Sequence, residues 1–425
     1  MINPIIRKAS AVLATLLLLV SAKGQESGFI TLYGHVSDEE TFESLYYSSI
    51  SLSGTRITNV SNAEGMFSLK IPADTDPNTI VSISHLGHRT GRIPCSDFTG
   101  SSLDHPLEIK LPQASLSLDP ATVRAIDAET LFKSAFYKVK DNYPSSRIGM
   151  TAFYREMVKK GTAKYLVLNE AVIDIDKSAY AKVQADRVGI FKGRGSTNYD
   201  TSDTLMIKLQ GGISTALQLD IVKNPFLTTT VHEAHTSYSF SMGGTDSYDG
   251  HTFYIVNFEA LPAIEDILYH GRMYIEVETL AIGRIEFSMD VAGREEEASK
   301  ALILKRPSNT RFYINSADYF INYKCFDGLW YYDYCRVDID LSTRKNRSLF
   351  KSNFSLTEEM AVTNHHEGSI AIEPAERVRF KDILSDRVAD FTDDDFWEDY
   401  NIIEPDQSID VLIKKIVRQL NRRQQ

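Results

Sequence analysis

The chain has 425 residues, 43% of them hydrophobic and 10% aromatic, with a formal net charge of −11. That length suits two or three units with cores of their own. The acidic balance argues against a nucleic-acid or anionic-lipid partner held by a broad basic surface. In chain order, residues 1–24 read as a signal peptide. Arg7 and Lys8 give a positive start, Ala11 to Val20 form a short apolar run, and Ala22-Lys23-Gly24 supply small residues for cleavage. The run is too short to be read as a membrane span, and no cysteine follows it to carry a lipid anchor. No later segment is apolar for long enough to cross a bilayer.

Residues 28–112 show only strand patterns. Ile30 to Val36, Ser48 to Leu52, Thr58 to Val60, Met66 to Ile71, Thr79 to Ser84 and Leu107 to Leu111 are short runs separated by turn residues. The spacing predicts a β-sandwich of about seven strands. The turn Asn62-Ala63-Glu64-Gly65 suggests a hairpin, with Gly65 free to take a positive φ.

Residues 113–126 are a polar linker. A helix is predicted from Asp127, its cap, to Tyr143, with Pro144 as the stop. Its apolar stripe is Phe132, Ala135, Phe136, Val139 and Tyr143. Long alternating strands dominate from Met150 to Thr357, and predict a large antiparallel sheet with one buried face. Leu205, Leu209, Ile213, Leu217 and Ile221 recur every four residues, which predicts a helical insertion. Together, 127–385 read as one helix-plus-sheet domain. Residues 386–425 add the acidic run Asp393-Asp394-Asp395, then Phe396-Trp397 and a last helix with Ile409, Leu412, Ile413, Ile416, Val417 and Leu420 as its stripe.

The three cysteines are Cys95, Cys325 and Cys335. If Asp327-Gly328 is a two-residue hairpin turn, Cys325 faces Trp330 and not Cys335, so free packed thiols are expected.

Tyr33 to Asp38, Leu45 to Leu52, Gly54-Thr55, Ser61 to Leu69 and Val81 to His88 together resemble the carboxypeptidase-regulatory-like (transthyretin-like) domain. That domain is common in exported and outer-membrane proteins of Bacteroidetes. Ser44, Ser61-Asn62 and Gly87-His88 depart mildly from its usual Pro, Thr-Asp and Gly-Tyr. The stretch Gly271 to Phe287 resembles the strand–turn–strand phrases of lipoprotein-carrier half-barrels. That likeness implies an apolar face under helices, able to take an acyl chain or an apolar peptide. Phe396-Trp397 and Tyr400-Asn401 before a capped helix resemble the tails of other Bacteroidetes proteins that begin with the regulatory-like domain.

No catalytic constellation emerges. His105-Pro106-Leu107-Glu108 has a peptidase-like spacing but leads into a sandwich strand. His232, Glu233 and His235 are weak metal candidates without the i, i+4 histidines of a helical zinc site; on a strand the two histidines would face opposite sides. Asn364 to Gly368 reads as a polar loop, Glu295-Glu296-Glu297 as a solvated loop, and Arg344-Lys345-Asn346-Arg347 as a charged hairpin loop. Gly193-Arg194-Gly195 lacks the setting of a phosphate loop. Phe326, Trp330, Tyr331, Tyr332 and Tyr334 are expected to pack across strands.

The expected fold is mainly β: a seven-stranded sandwich, a half-barrel-like helix-plus-sheet domain and a C-terminal helix. The expected function is a non-enzymatic periplasmic accessory protein, without a cofactor, binding a lipid, an apolar peptide or an outer-membrane protein. Phe132, Phe136 and Val139 are the candidate ligand-binding residues. A metal-dependent hydrolase and a purely structural scaffold of an outer-membrane complex are the alternatives.

Overall fold

A computed structural model describes residues 28–114, 127–161, 164–197, 212–225, 231–262, 264–303, 308–379, 382, 384–390, 397, 400–407, 409–411 and 413–414. Residues 1–24, read above as a signal peptide, most of the expected linker, Leu205 and Leu209, the acidic run Asp393 to Asp395 and the distal part of the expected last helix lie outside the described residues.

The sandwich contains the expected seven strands, β1 (Phe29–Asp38), β2 (Ser49–Leu52), β3 (Thr58–Val60), β4 (Met66–Pro72), β5 (Ile80–Ser84), β6 (Gly91–Pro94) and β7 (Leu107–Leu111). They form two sheets, in the orders β4-β1-β7 and β3-β2-β5-β6. Leu32, Val36, Ile50, Phe67, Leu69, Val81, Ile83 and Ile109 fill the space between them. The expected hairpin at Asn62–Gly65 is not one. β3 and β4 belong to different sheets, so the turn carries the chain across the sandwich. Gly65 does take a φ of 77°, and a Cβ there would lie 2.5 Å from the Val36 carbonyl oxygen. Glycine is therefore required for close approach as well as for conformation.

The second body is one sheet of β8 (Ile148–Lys160), β9 (Lys164–Lys177), β10 (Arg187–Thr197), β11 (Tyr238–Tyr248), β12 (His251–Ala260), β13 (Tyr269–Glu276), β14 (Ile282–Met289), β15 (Thr310–Phe326), β16 (Leu329–Lys345), β17 (Ser352–His366) and the short β18 (Ala389–Asp390). Their order is β11-β12-β13-β14-β15-β16-β17-β8-β9-β10-β18, with β11 at one edge. All pairings are antiparallel except β18 against β10. Asp327 and Gly328 both have positive φ, and the hairpin they turn pairs Cys325 with Trp330 as expected. The three thiols are free.

Four α-helices are described end to end, α1 (Ala128–Tyr137), α2 (Val139–Asn142), α3 (Gly212–Gln218) and α4 (Glu295–Leu302), and the expected C-terminal helix is present in its described residues between 407 and 414. Asp127 caps α1 by accepting from the Thr130 amide at 2.8 Å. The single helix expected to Tyr143 instead breaks at Lys138. The break lets the Asn142 side chain donate to the Thr279 carbonyl at 2.9 Å and the Tyr143 hydroxyl to the Ile282 carbonyl at 2.7 Å. The glutamates expected in a loop open α4, where acidic side chains suit the positive end of the helix. Asn364, His365 and His366, expected in a polar loop, close β17, and His365 is buried. No helix among the described residues is long and apolar enough to cross a membrane.

Successive strand residues face opposite sides, and here the two sides have different company. Tyr154 and Val158 face the helices, in the main apolar core. Phe153 and Met157 face the sandwich and the tail, packing with Val60, Trp397, Ile403 and Ile409. The sandwich face carries a polar line. Ser241, Asn257, Arg272, Glu286, Phe320, Arg336, Glu359, Arg155, Glu170 and Arg194 are successive register partners across β11 to β17 and β8 to β10. Its last five members alternate in charge. Arg336 meets Glu359 at 3.2 Å, Arg155 meets Glu359 at 3.1 Å and Glu170 at 2.7 Å, and Arg194 meets Glu170 at 2.9 Å.

β3 and the turn after it show how the sandwich is held. The Thr58 hydroxyl donates to the Val362 carbonyl at 2.7 Å. Asn59 donates to the Ile402 carbonyl at 2.8 Å and Asn62 to the Pro405 carbonyl at 3.3 Å. Asn401 exchanges two hydrogen bonds with the backbone of Lys70, at 2.7 and 3.1 Å. Arg155 donates to the Ile403 carbonyl at 2.7 Å. The tail is thus stitched to both bodies.

Candidate functional site

The face of the large sheet under the helices is the candidate site. α1 rests on β11, β12 and β13, at the edge of the sheet. Phe132 is 2% exposed and lies 4.7 Å from the Phe240 ring and 5.0 Å from the Phe136 ring. Phe136 and Val139 are half-buried and pack against the same core. The structure therefore brings the three predicted residues to one place, where α1 leaves the sheet edge.

The second cover is fastened differently. Buried Lys177 of β9 meets Asp220, just beyond α3, at 2.6 Å and Asp186 at 3.0 Å. The Tyr323 hydroxyl donates to Asp220 at 2.8 Å, and the Tyr332 hydroxyl to the Ala216 carbonyl of α3 at 2.6 Å. Burial pushes the Lys177 ammonium down, but Asp220 and Asp186 outweigh it and hold it above the ordinary lysine range. Removing either side of such a pair strands a buried charge. α3 is pinned by ionic and polar bonds, whereas Phe132 and Phe136 of α1 meet the sheet by apolar packing.

Beneath α3 lies a feature that sequence reading missed. Glu156 and Glu358 are register partners on β8 and β17, both buried and both on the apolar side. Asn169 donates to Glu156 at 2.6 Å, and the Tyr154 hydroxyl donates to it at 3.3 Å. Burial, reinforced by the neighbouring Glu156, pushes the Glu358 carboxyl up to about 8. Burial pushes Glu156 up to about 6 against the hydrogen bonds from Asn169 and Tyr154. At neutral pH Glu358 is held protonated, so the pair adds a hydroxyl donor to an apolar interior without two adjacent charges. The signal was present in the sequence. Glu156 stands between Tyr154 and Val158 at strand spacing, and Glu358 between Leu356 and Met360.

His232, Glu233 and His235 lie on a 3-10 turn, Val231–Thr236, rather than a strand. The side chain of His232 is outside the description, and exposed His235 sits 3.6 Å from Glu129 of α1. Among the described residues, no three His, Cys, Asp or Glu side chains converge as a metal site would need. Trp330 and Tyr332 belong to the main core and Tyr334 to the sandwich-side core, so these rings form no common strip. His105 stands in an exposed loop, and Glu108 instead pairs with His35 at 2.8 Å. A cleft of about 530 Å³ separates the sandwich from β13 to β16, lined by Tyr46, Tyr47, His85, Arg272, Arg284 and Arg336 among others. Its arginines are already engaged: Arg272 and Arg284 with Glu286, Arg336 with Asp338.

No family model matches the chain, and no curated protein matches it. The resemblance to the regulatory-like domain therefore has no support from a family model, and what stands is the seven-stranded sandwich. Among solved structures, the chain is similar to a DUF1329 family protein from Desulfovibrio piger, at 11% identity over 56% of this chain and 94% of that one, with a TM-score of 0.22. It is also similar to a putative outer membrane lipoprotein-sorting protein domain from Vibrio parahaemolyticus, at 10% identity over 58% and 95%, with a TM-score of 0.24. MucB matches at 8% identity over 54% and 92%, with a TM-score of 0.18. Likenesses of this size carry no argument about function, which rests on the site itself.

Proposed function

We propose that this chain is a non-enzymatic, exported accessory protein. It takes an apolar ligand, an acyl chain or an apolar peptide segment, between the large sheet and α1. The observation that carries the reading is the unequal fastening of the two covers. α3 is pinned by buried ion pairs, while α1 lies on the edge strands through Phe132, Phe136 and their apolar neighbours. A cover held by apolar contact at a sheet edge can lift without breaking the ladder of the sheet, and a ligand of the same chemistry can replace what it loses. In this reading 127–385 is the binding unit. Residues 28–112 and the tail from 386 brace its opposite face, and the protein works in the periplasm near the outer membrane.

The test is thermal denaturation with a fatty acid or phospholipid. Ligand raises Tm in a concentration-dependent way. Phe132→Ala costs about 3 kcal/mol of stability, as truncation of a buried aromatic does. Phe136→Ala, half-buried at the rim, weakens ligand-induced stabilisation more than it lowers the Tm of the free protein. If no lipid or apolar probe moves Tm and both variants merely destabilise, the reading fails.

A further inference from the structure

The loop joining β16 to β17 presents two adjacent large apolar side chains to solvent. Leu349 is 92% exposed and Phe350 82% exposed. They do not stand out because the loop is slack. The Asn346 amide donates to the Asn309 carbonyl at 2.7 Å, and the Ser348 amide to the Lys345 carbonyl at 3.0 Å. The Ser348 hydroxyl donates to the Phe350 carbonyl at 3.0 Å, and Arg347 takes a φ of 68° to complete the turn. The loop is built to hold the pair outward.

Around this apex the charge is opposite to that of the whole chain. Lys345, Arg347 and Lys351 flank the pair on the loop itself. The β8–β9 turn lies alongside, since Lys160 pairs with Phe354 and the Gly161 amide donates to the Asn353 carbonyl at 2.9 Å. That turn brings Lys160 and Lys164 to the same end of the sheet, and Arg311 sits there at the start of β15. Glu295 of α4 lies near enough to feel the charge of Lys351. A chain of net charge −11 thus places Lys160, Lys164, Arg311, Lys345, Arg347 and Lys351 at the end of the sheet that bears the exposed pair Leu349–Phe350.

We propose that this end of the sheet seats the protein on an anionic lipid surface. Leu349 and Phe350 enter the boundary between headgroups and acyl chains, and the surrounding lysines and arginines meet the headgroup charge. Charge complementarity selects the occupant. A protein partner needs roughly 800 Å² of complementary surface per side, and two side chains on a turn do not provide that. A bilayer needs only an apolar tip ringed by cations whose stems reach down its flanks. This surface is independent of the interior under α1 and stands whether or not that interior binds a ligand.

The experiment is sedimentation of the full chain with vesicles of phosphatidylcholine alone and of phosphatidylcholine mixed with phosphatidylglycerol. The protein binds the mixed vesicles and partitions about tenfold less onto the neutral ones, and added salt weakens the binding by screening. The double variant Leu349→Ser/Phe350→Ser keeps its Tm and loses about tenfold in partitioning. Lys345→Glu/Arg347→Glu abolishes the preference for the anionic vesicles. Wild-type protein that stays in the supernatant with mixed vesicles overturns the proposal, as does a serine variant that binds as well as wild type. So does a wild-type dimer without vesicle binding that the serine variant converts to monomer, since the tip then serves a second copy of the chain.

Discussion

The two faces of the large sheet solve burial in opposite ways. Under the helices, strands contribute mainly aliphatic and aromatic side chains, full charges are confined to the Lys177–Asp220–Asp186 cluster that fastens α3, and the pair Glu156–Glu358 is kept from carrying two charges by its surroundings. Under the sandwich, full charges are buried in alternation, with Arg155 between Glu170 and Glu359 and each of those carboxylates between two guanidiniums. Burial pushes the Glu170 carboxyl up, but Arg155 and Arg194 together outweigh it and hold it below the usual range. The lesson concerns adaptability. An apolar face accepts any contact of similar shape, whereas a charge row accepts only partners that leave it satisfied. The first suits an exchangeable occupant and the second a permanent one.

The largest effect expected from breaking this contrast is at Arg155, the centre of the row. Arg155→Ala leaves Glu170 and Glu359 buried without their shared partner and removes a bond to Ile403, so it should cost about 4 kcal/mol in denaturant unfolding. On the opposite face the expected signature is a pH dependence. Glu358 is pushed up from its ordinary range to about 8, so the native state keeps a proton that the unfolded chain has released. That contribution is complete below about pH 4.5 and is lost as pH rises through 8. Glu358→Gln should match wild type near pH 5 and exceed it increasingly as pH rises to 8, flattening the stability–pH curve. The smallest effect belongs to the open end of the polar line. Arg272 is 56% exposed beside Glu286, and Arg272→Ala should change stability by about 0.5 kcal/mol or less. Equal losses at Arg155 and Arg272 would show that the row acts as a surface array rather than a buried one.

Much of the local fold was legible in the sequence. Alternation in Met150 to Val158 and Leu166 to Ile175 gave long strands, Asp327-Gly328 gave the hairpin and the free thiols, and Asp127 gave the start of α1. What stayed hidden was set by pairings remote in sequence. Nothing local shows that β17 returns to β8, so nothing local shows that Glu359 will face Arg155. The turn at Asn62–Gly65 reads equally well as a hairpin or a crossing, because both need the glycine and only the partners of β3 and β4 decide. The helix break at Lys138 depends on carbonyls of Thr279 and Ile282 that the local pattern does not contain. The candidate site was legible in part. Phe132, Phe136 and Val139 followed from helical spacing, while the paired glutamates required knowing which strand face was apolar.

The stitching of the tail has a kinetic consequence. Asn62 and Pro405, joined by one hydrogen bond, are 343 positions apart, and the tail segment bearing Ile403 also closes over Arg155. Closing so long a loop is entropically expensive and comes late in folding. Until residues 400–407 arrive, Arg155 lacks its bond to Ile403, and the sandwich and the sheet are joined only by their direct bonds, such as Thr58 to Val362 and Lys324 to Ser49. Assembly of this molecule is therefore a latch that only the last-made part of the described chain can throw, and a nick just ahead of Trp397 should loosen both bodies at once.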